Sequence, residues 1–301
     1  MKVAVITPYH SEPLDWIQAA VESVAAQSHP TTHILVGDGV RQEALDGDGR
    51  IHMTLQHTVA DSGGTPRAIA GRWAVAQGFD MVAYLDADDR IDPDFVSTLV
   101  RARDRLGAEV ISVPHAYFDL TMRPARNLMG QHIGIWSHGS ARQIGGTKYS
   151  FMPASGMALA GGGLKYVEQW AAIPRMFRRV DDVIFSQAMI SRPLTLAWLA
   201  QAKYHYRLTH RSQYDKYDLR FPPGLAAVPG HDEKDEGKAE AIGFLSRLDE
   251  SQRRAFEAKF GIVAGRLPEQ ARIRELVSTA HARDGALKRD GAGWYEIVAP
   301  L

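Results

Sequence analysis

Three carboxylates stand at the end of an apolar run in the first third of the chain. Residues 81–85 read as a buried strand, and Asp86, Asp88 and Asp89 follow it directly. Like charges a few ångströms apart repel each other strongly where the dielectric is low, so such a cluster calls for a cation. Carboxylate oxygens at this spacing suit Mg²⁺ or Mn²⁺, which take their other ligands from water and substrate phosphates. The cluster therefore indicates a divalent metal ion and a phosphate-bearing ligand.

Helix capping is the alternative explanation for acidic residues at a strand end, because Asp is common in turns and caps. Asp92, Pro93 and Asp94 provide an N-cap, a proline at the first helical position and an acid in the first turn of the next helix. Capping accounts for Asp92 and Asp94. It leaves the three preceding carboxylates unexplained.

The composition is that of a globular protein without a global charge preference. The 301 residues are 45% hydrophobic, which is enough to fill the core of one large domain or of a domain with an appendage. Lys plus Arg and Asp plus Glu both number 35, which gives no electrostatic reason to expect nucleic-acid binding. The lack of cysteine excludes disulfides and thiolate metal sites. Residues 1–6 read as a strand rather than a signal peptide, so we expect a cytoplasmic protein.

Strand and helix patterns alternate through the amino-terminal half of the chain. Strands are predicted at 3–7, 33–36, 51–55, 81–85 and 109–113, and helices at 13–27, 65–77 and 93–106. This alternation predicts an α/β fold with a mostly parallel sheet and helices on both faces. Ligands of such sheets bind at the carboxyl ends of the strands. The ends at Pro8 and Tyr9, at Asp38, and at Asp86 and Asp88 are therefore expected to face one crevice.

Two boundaries divide the chain by pattern. Residues 1–113 contain the alternating strands and helices, and 114–221 read as loops and short elements that form a second wall of the crevice. Residues 222–301 follow a Pro-Pro-Gly segment and show helical patterns at 242–248, 253–260 and 273–281. We expect a helical carboxy-terminal extension, which packs on the core or mediates homo-oligomer formation.

The order of these segments resembles the GT-A fold glycosyltransferases, in particular the inverting family 2 enzymes that use nucleotide-sugars. The resemblance spans about the first 215 residues and rests on the segments 5–10, 24–30, 35–39 and 86–89. It implies a GT-A domain over 1–221, with 1–113 as the nucleotide-binding half and 114–221 as the acceptor-binding half. It also implies that Pro8, Tyr9 and Asp38 hold the nucleoside, and that Asp86 and Asp88 belong to a metal motif that binds Mn²⁺ or Mg²⁺.

An acidic pair, Asp181 and Asp182, falls where that family places a Glu-Asp pair whose second member is the catalytic base. The resemblance makes Asp182 the candidate base and Asp181 its support. Inversion at an anomeric carbon needs a carboxylate opposite the leaving diphosphate to take the proton of the acceptor. The pair also stands where it would cap the following helix. Because the first member is Asp instead of Glu, either carboxylate could be the base.

The segment 206–212 resembles the arginine-rich stretch of the family, which closes over the diphosphate. On that basis Arg207 and Arg211 are charge partners of the phosphates and Ser212 is a hydrogen-bond donor to them. His210 is a candidate metal ligand or phosphate contact. The neighbouring His205 competes for that role, and a lone histidine is more often structural.

Two basic features are less clear from the sequence. An Arg-Asn pair that many family members carry before the metal strand falls at Ile69 and Ala70, and Arg67 is a substitute unless it is a surface residue. The arginines just ahead of Asp181 either meet an anionic acceptor or form a solvated face. These arginines are Arg175, Arg178 and Arg179.

The resemblance implies transfer of a sugar from a nucleoside diphosphate sugar, expected to be a UDP-sugar, to a hydroxyl of a saccharide, a polymer or a lipid-linked acceptor. One alternative is a nucleotidyltransferase that makes a nucleotide-sugar, although those enzymes usually have a glycine-rich loop after the first strand and residues 7–12 do not form one. A second alternative is a module of the same fold that binds nucleotide or carbohydrate without turnover.

Overall fold

The computed structural model describes residues 1–47, 49–131, 141–144, 147–150, 152–178, 180–223, 243–261, 275–276, 286–290 and 293–297. The strands are Val3–Tyr9 (β1), Thr31–Gly37 (β2), Arg50–Thr54 (β3), Met81–Tyr84 (β4), Arg90–Ile91 (β5), Val110–Ser112 (β6), His115–Phe118 (β7), Ala141–Ile144 (β8), Thr147–Ser150 (β9), Met157–Ala160 (β10), Thr195–Trp198 (β11), Tyr204–Arg207 (β12), Ala286–Asp290 (β13) and Gly293–Ile297 (β14). The α-helices are Leu14–Ala25 (α1), Gly64–Ala76 (α2), Phe95–Leu106 (α3), Asp181–Ile190 (α4), Arg211–Lys216 (α5) and Glu250–Phe260 (α6), with a helical stretch at 243–247 as well. Short 3₁₀ helices occupy Glu43–Leu45, Gly161–Trp170 and Arg175–Phe177.

A nine-stranded sheet with the order β14-β13-β11-β6-β10-β4-β1-β2-β3 forms the centre of the molecule. β1 pairs in parallel with β2 and β4, β2 with β3, and β6 with β11. Only β10 and β13 run against the other strands of this sheet. The predicted α/β class with a mostly parallel sheet is thus confirmed. A smaller sheet, β5-β12-β7, lies beside it.

Helices cover both faces of the central sheet because its inner strands are apolar on both faces. All residues of β1 and β4 are buried. One face packs against the apolar side of α2 and α4, and the other packs against α1 and α3. Alternate residues of β1 divide between the two cores, with Ile6 on the first and Val5 on the second. The sheet therefore fixes the positions of its strand ends, where the polar residues gather.

The predicted boundaries are close to the observed ones for the amino-terminal elements, with two differences that concern the site. α3 begins at Phe95 with Asp94 as its N-cap residue, two positions later than the predicted cap at Asp92. Gly161, Gly162 and Gly163, in the segment that the sequence assigns to loops and short elements, start a 3₁₀ helix. A Cβ at Gly163 would lie 2.2 Å from the carbonyl oxygen of Glu109, so the close approach to the backbone explains this glycine.

The carboxy-terminal region differs from the predicted helical extension. α6 is helical as expected, and its Phe256 and Phe260 pack against Phe177 and Val180 near the start of α4. However, β13 pairs with β11 and β14 pairs with β13, so this region also extends the central sheet. The short β13, with Leu287 buried, was too mixed in polarity to be recognised as a strand. The predicted segment 273–281 lies almost wholly outside the described residues.

Within the described residues, none of the helices combines the length and the apolar character that a membrane crossing requires.

Candidate functional site

A cavity of about 590 Å³ opens at the carboxyl ends of β1, β2 and β4. Pro8 and Tyr9 contribute to its lining from β1, Asp38 from the end of β2, and Asp86 and Asp88 from the end of β4. The three strand ends therefore meet in one crevice, as the predicted topology requires. The lining also includes residues of the loop before α2, Arg178 and His210.

Asp86 is held by two side chains of the protein. One carboxylate oxygen pairs with Arg67 Nη2 at 2.6 Å, and the other accepts a short hydrogen bond from the Ser155 hydroxyl. Arg67 is buried, not on the surface, and its Nη1 donates to the carbonyl of Ser62 at 2.7 Å. Burial lowers the pKa of Arg67, but Asp86 and then Asp181 raise it, and the net pKa lies above the usual value. Arg67 is therefore a fixed positive charge that links the end of β4 to the loop before α2.

Asp88 stands in contrast to Asp86, because its carboxylate has no ion-pair or hydrogen-bond partner on another residue in the described parts of the chain. Burial raises the pKa of Asp88 to about 7, with further contributions from the negative charges of Asp86 and Glu12. Glu12 lines the same cavity. A carboxylate left unpaired among other carboxylates is poorly stabilised, and a cation placed beside it would relieve the repulsion.

Asp89 is fully buried behind the cavity, in a hydrogen-bond network with Tyr204 and Arg207. It accepts from the Tyr204 hydroxyl at 2.7 Å and from the Arg207 backbone N–H at 2.7 Å. Burial, followed by the charges of Asp88 and Asp86, raises the pKa of Asp89 well above its usual range. The Tyr204 hydroxyl also accepts from the backbone N–H of Asp86 at 3.0 Å. This hydrogen-bond network fixes the turn that carries Asp86 and Asp88.

The side chain of Arg207 extends this hydrogen-bond network. Its Nε donates to the carbonyl of Asp88 at 2.7 Å and its Nη1 to the carbonyl of Leu120 at 2.9 Å. The guanidinium lies over the ring of Trp16, 4.4 Å from the ring centre, and Arg207 is absent from the lining of the cavity. The resemblance suggested a phosphate contact for Arg207. The structure instead gives it two backbone carbonyls as partners, because carbonyls away from water need a donor.

Asp38 organises the loop that closes one side of the cavity. It is 4% exposed, and its two carboxylate oxygens accept from the backbone N–H groups of Val59 at 2.8 Å and Ala60 at 3.0 Å. In the same loop Ala60, Ser62 and Gly63 all have positive φ, which is unusual for the first two. Asp38 lines the cavity as predicted, but its first task is to hold a strained loop.

Tyr9 is buried at the end of β1, and its hydroxyl lies 2.7 Å from His52 Nε2. His52 Nδ1 lies 2.5 Å from a carboxylate oxygen of Asp46. The backbone N–H of Gln42 also donates to the Tyr9 hydroxyl, at 3.1 Å. The phenol thus braces the first loop of the site against β3, and Pro8 next to it contacts the cavity directly.

Asp181 and Asp182 are the first two residues of α4. The Asp182 carboxylate accepts from the backbone N–H of Val183 at 2.8 Å, so it has a capping contact at this end. Asp181 is near enough to Arg67 to raise the pKa of that guanidinium. The two candidate catalytic bases therefore lie on the same side of the molecule as the ion pair of Arg67 and Asp86. Arg178, which lines the cavity, is three residues before Asp181 in the chain.

The remaining predicted residues separate into two groups. His210 lines the cavity, and its backbone N–H donates to the side chain of Gln213 at the start of α5. Arg211 is exposed, forms a 3.5 Å ion pair with Asp215 and does not line the cavity. Ser212 lies in α5, and its side chain is outside the described residues. Of the two competing histidines, His205 instead forms a half-buried contact with the carboxylate of Asp92 at 2.8 Å.

The donor set can be compared with what a divalent metal requires. Among the described residues, no group of three or more His, Asp and Glu is arranged to hold a metal ion. A nucleotide-bound Mg²⁺ or Mn²⁺ needs only one or two protein carboxylates. Asp88 fits this role because it faces the cavity unpaired. Asp86 fits less well than predicted, since Arg67 and Ser155 already occupy its oxygens.

Several residues of the site were not recognised from the sequence. Glu12, Ser62 and Gly63 line the cavity, and Ser155 and Tyr204 position the carboxylates. Gly63, with φ of +79°, had a detectable signal as a glycine just before a helix. Ser155 and Tyr204 lie 69 and 118 residues from Asp86, and no local pattern announces such contacts.

Comparisons with known proteins give a structural likeness without a sequence match. No protein-family model and no curated protein sequence matches the chain. Similar solved structures include residues 1–349 of S. aureus TarS in complex with UDP, with 16% identity, a TM-score of 0.48, and coverage of 94% of this chain and 88% of that one. The same TarS fragment in complex with UDP-GlcNAc has 15% identity, a TM-score of 0.45 and the same coverage. At these values the likeness by itself assigns neither a family nor a function to this chain.

Proposed function

We propose that this chain is an inverting, metal-assisted glycosyltransferase of the GT-A kind, which transfers a sugar from a UDP-sugar to a hydroxyl acceptor. The proposal joins two independent lines of support. One is the ordered set of motifs in the sequence. The other, which carries the proposal, is the unpaired carboxylate of Asp88 in a cavity where three parallel strands end.

The residues that line the cavity offer two kinds of chemistry. Asp38 and the loop at Val59 and Ala60 make a buried polar surface, which suits the hydrogen-bonding groups of a nucleoside base. Asp88 and Glu12 make an acidic surface that repels a bare diphosphate and attracts one that carries a divalent cation. A nucleoside diphosphate with its metal ion matches both surfaces.

Asp88 would hold Mg²⁺ or Mn²⁺, with His210, which lines the same cavity, as a further candidate ligand. When bound, the ion neutralises the charge that develops on the departing diphosphate. Arg67 keeps Asp86 in place, so the turn that presents Asp88 does not need the ion to hold its shape. The protein thus provides a prearranged site for the leaving group.

Asp182 is assigned the role of base on the other side of the transferred sugar. The acceptor oxygen attacks the anomeric carbon while the bond from that carbon to the diphosphate breaks, and UDP leaves with the electron pair. The acceptor proton passes to the carboxylate of Asp182. Because attack and departure are on opposite faces, the configuration inverts. The N-terminal end of α4 favours a negative charge at this position until the proton arrives.

The experiment is a thermal-shift panel of nucleotide-sugars with and without Mn²⁺, followed by a turnover assay with each sugar that stabilises the protein. We expect a UDP-sugar to raise the melting temperature more than its relatives, and turnover to follow. Turnover of Asp182→Asn should fall by about 10²- to 10⁴-fold while donor binding stays intact, as expected for the loss of a general base.

Asp181→Asn is the matched control, because it changes the neighbouring carboxylate on the same turn. A larger loss in Asp181→Asn than in Asp182→Asn would exchange the two roles. Binding of a UDP-sugar without any turnover, for donor hydrolysis as well as transfer, would favour a non-catalytic module. A panel in which no nucleotide-sugar stabilises the protein would refute the proposed function.

A further inference from the structure

Two arginines line the cavity, and their guanidinium groups differ in their partners. Arg67 is paired with Asp86 and donates to the carbonyl of Ser62, so its charge is already satisfied. Arg178 is half-buried in the lining of the same cavity. Its guanidinium has no ion pair and no hydrogen bond with any of the described residues. Arg178 therefore brings an unused positive charge to the cavity.

The backbone at Arg178 is nevertheless fixed. The Ser62 hydroxyl donates to the carbonyl of Arg178 at 2.8 Å, and Ser62 belongs to the loop that also accepts from Arg67. The segment before it is a 3₁₀ helix, Arg175–Phe177, with Phe177 fully buried. Arg178 is thus held at the wall by its neighbours, while the functional end of its side chain has no structural task in the described part of the molecule.

The cavity contains two unsatisfied charges of opposite sign, Asp88 and Arg178, which do not pair with each other. Leaving a partly buried guanidinium without an acceptor is unfavourable, so such a group is expected to have a ligand. A phosphate that carries a divalent cation satisfies both, since the cation meets the carboxylate and the phosphate oxygens meet the guanidinium. The planar fork of arginine matches two phosphate oxygens.

We propose that Arg178 binds a phosphate group of the substrate inside this cavity and so selects for phosphate-bearing ligands. The inference rests on the proposed function for the nature of the substrate. Two phosphates could be its partner, the diphosphate of the donor or a phosphate on the acceptor, and the recognition chemistry is the same for both. Arg178 lines the same cavity as Asp88 and lies three residues before Asp181 in the chain, and the test below distinguishes the two partners.

The test compares Arg178→Gln with Arg175→Gln by titration calorimetry in a buffer with Mg²⁺. Arg175 is the matched control, because it carries the same charge three residues away but is exposed and does not line the cavity. The probes are UDP, uridine, and inorganic phosphate added to the UDP-saturated protein. Neither variant removes a structural contact of the side chain, so both should melt close to the wild type.

If the donor diphosphate is the partner, Arg178→Gln weakens UDP binding about tenfold or more and leaves uridine binding unchanged. If an acceptor phosphate is the partner, UDP binding is unchanged and inorganic phosphate loses its affinity for the UDP-loaded protein by a similar factor. The difference in affinity between the wild type and Arg178→Gln should become smaller as the salt concentration is raised, because the contact is between charges. Arg175→Gln should match the wild type in every titration.

The proposal is overturned if Arg178→Gln and Arg175→Gln bind all three probes as the wild type does. If the wild type binds neither UDP nor uridine, the proposed function fails, and inorganic phosphate is then titrated into the free protein. A tenfold or larger loss of phosphate binding in Arg178→Gln alone would still support the role of Arg178. Equal binding by both variants, or no saturable binding by the wild type, would refute it.

Discussion

Replacing Tyr204 with Phe should destabilise the protein through the loss of a single oxygen atom. Tyr204 is fully buried and its ring stacks on His115, with 4.6 Å between the ring centres, so Phe keeps the packing. The hydroxyl donates to Asp89 at 2.7 Å and accepts from the backbone N–H of Asp86 at 3.0 Å. Without it, a buried carboxylate oxygen and a backbone donor each lose a partner. At about 1–2 kcal/mol for each, the free energy of unfolding should fall by about 2–4 kcal/mol.

Tyr84→Phe is the matched control for this measurement. Tyr84 is also fully buried, on β4 of the central sheet, but its hydroxyl makes no well-aligned hydrogen bond within the described residues, and the indole N–H of Trp170 is only a weak neighbour. Removing an unpaired buried hydroxyl should change the free energy of unfolding by less than about 0.5 kcal/mol, or increase it. Urea denaturation of the ligand-free protein measures both variants, with the slope of the transition as a check on the unfolded state. If the free energy of unfolding falls no more in Tyr204→Phe than in Tyr84→Phe, the structural role of the hydrogen-bond network around Asp89 is refuted.

Two further predictions concern the loop over the cavity and the acid stability of the core. Gly63→Ala adds a side chain to a residue with φ of +79° and places its Cβ 2.9 Å from Pro8 Cγ, so both stability and UDP affinity should fall. The control is Gly78→Ala, which has a similar φ of +72° but nothing within 4 Å of its Cβ. It should cost only about 1 kcal/mol of strain and keep UDP affinity. Equal UDP affinity in the two variants would count against the role of this loop. Burial lowers the pKa of His33 to about 3, so the unfolded chain takes up a proton near pH 6.5 that the folded chain refuses. The contribution of His33 to stability should therefore fall as the pH drops from about 6.5 toward 3, by about 2 kcal/mol between pH 7 and pH 5. Asp88 and Asp89, whose pKa values are raised, act in the opposite direction, so the test is the difference in unfolding free energy between the wild type and His33→Gln in urea melts at several pH values. A difference that stays constant across this pH range would contradict the assignment.

The sequence was most informative where local periodicity and turn chemistry act together. The strands and helices of the first hundred or so residues could be predicted because each apolar pattern was long enough to distinguish one period from the other. The convergence of Pro8, Asp38 and Asp88 followed from the parallel topology alone. β10 was missed because Met157–Ala160 has only four residues and its pairing with β4 and β6 joins segments far apart in the chain.

Roles of individual charged residues were harder to predict than their positions. Arg207 and Arg67 look alike in the sequence, yet one satisfies backbone carbonyls and the other neutralises a carboxylate. Asp88 and Asp89 are neighbours, but Asp88 faces the cavity and Asp89 is sealed behind it. Such differences depend on which long-range partner reaches each side chain. A single sequence contains no record of that choice.

The central claim is that Asp88 holds the metal ion of a metal-bound nucleoside diphosphate, and calorimetric titration of UDP with and without Mn²⁺ tests it most directly. The comparison uses wild type, Asp88→Asn and Asp80→Asn, the last being an exposed aspartate remote from the cavity lining. We expect Mn²⁺ to strengthen UDP binding by about tenfold or more in the wild type and in Asp80→Asn, a gain of about 1.4 kcal/mol or more. In Asp88→Asn this gain should disappear while metal-free binding of UDP remains. Retention of the full Mn²⁺-dependent gain in Asp88→Asn would contradict the account.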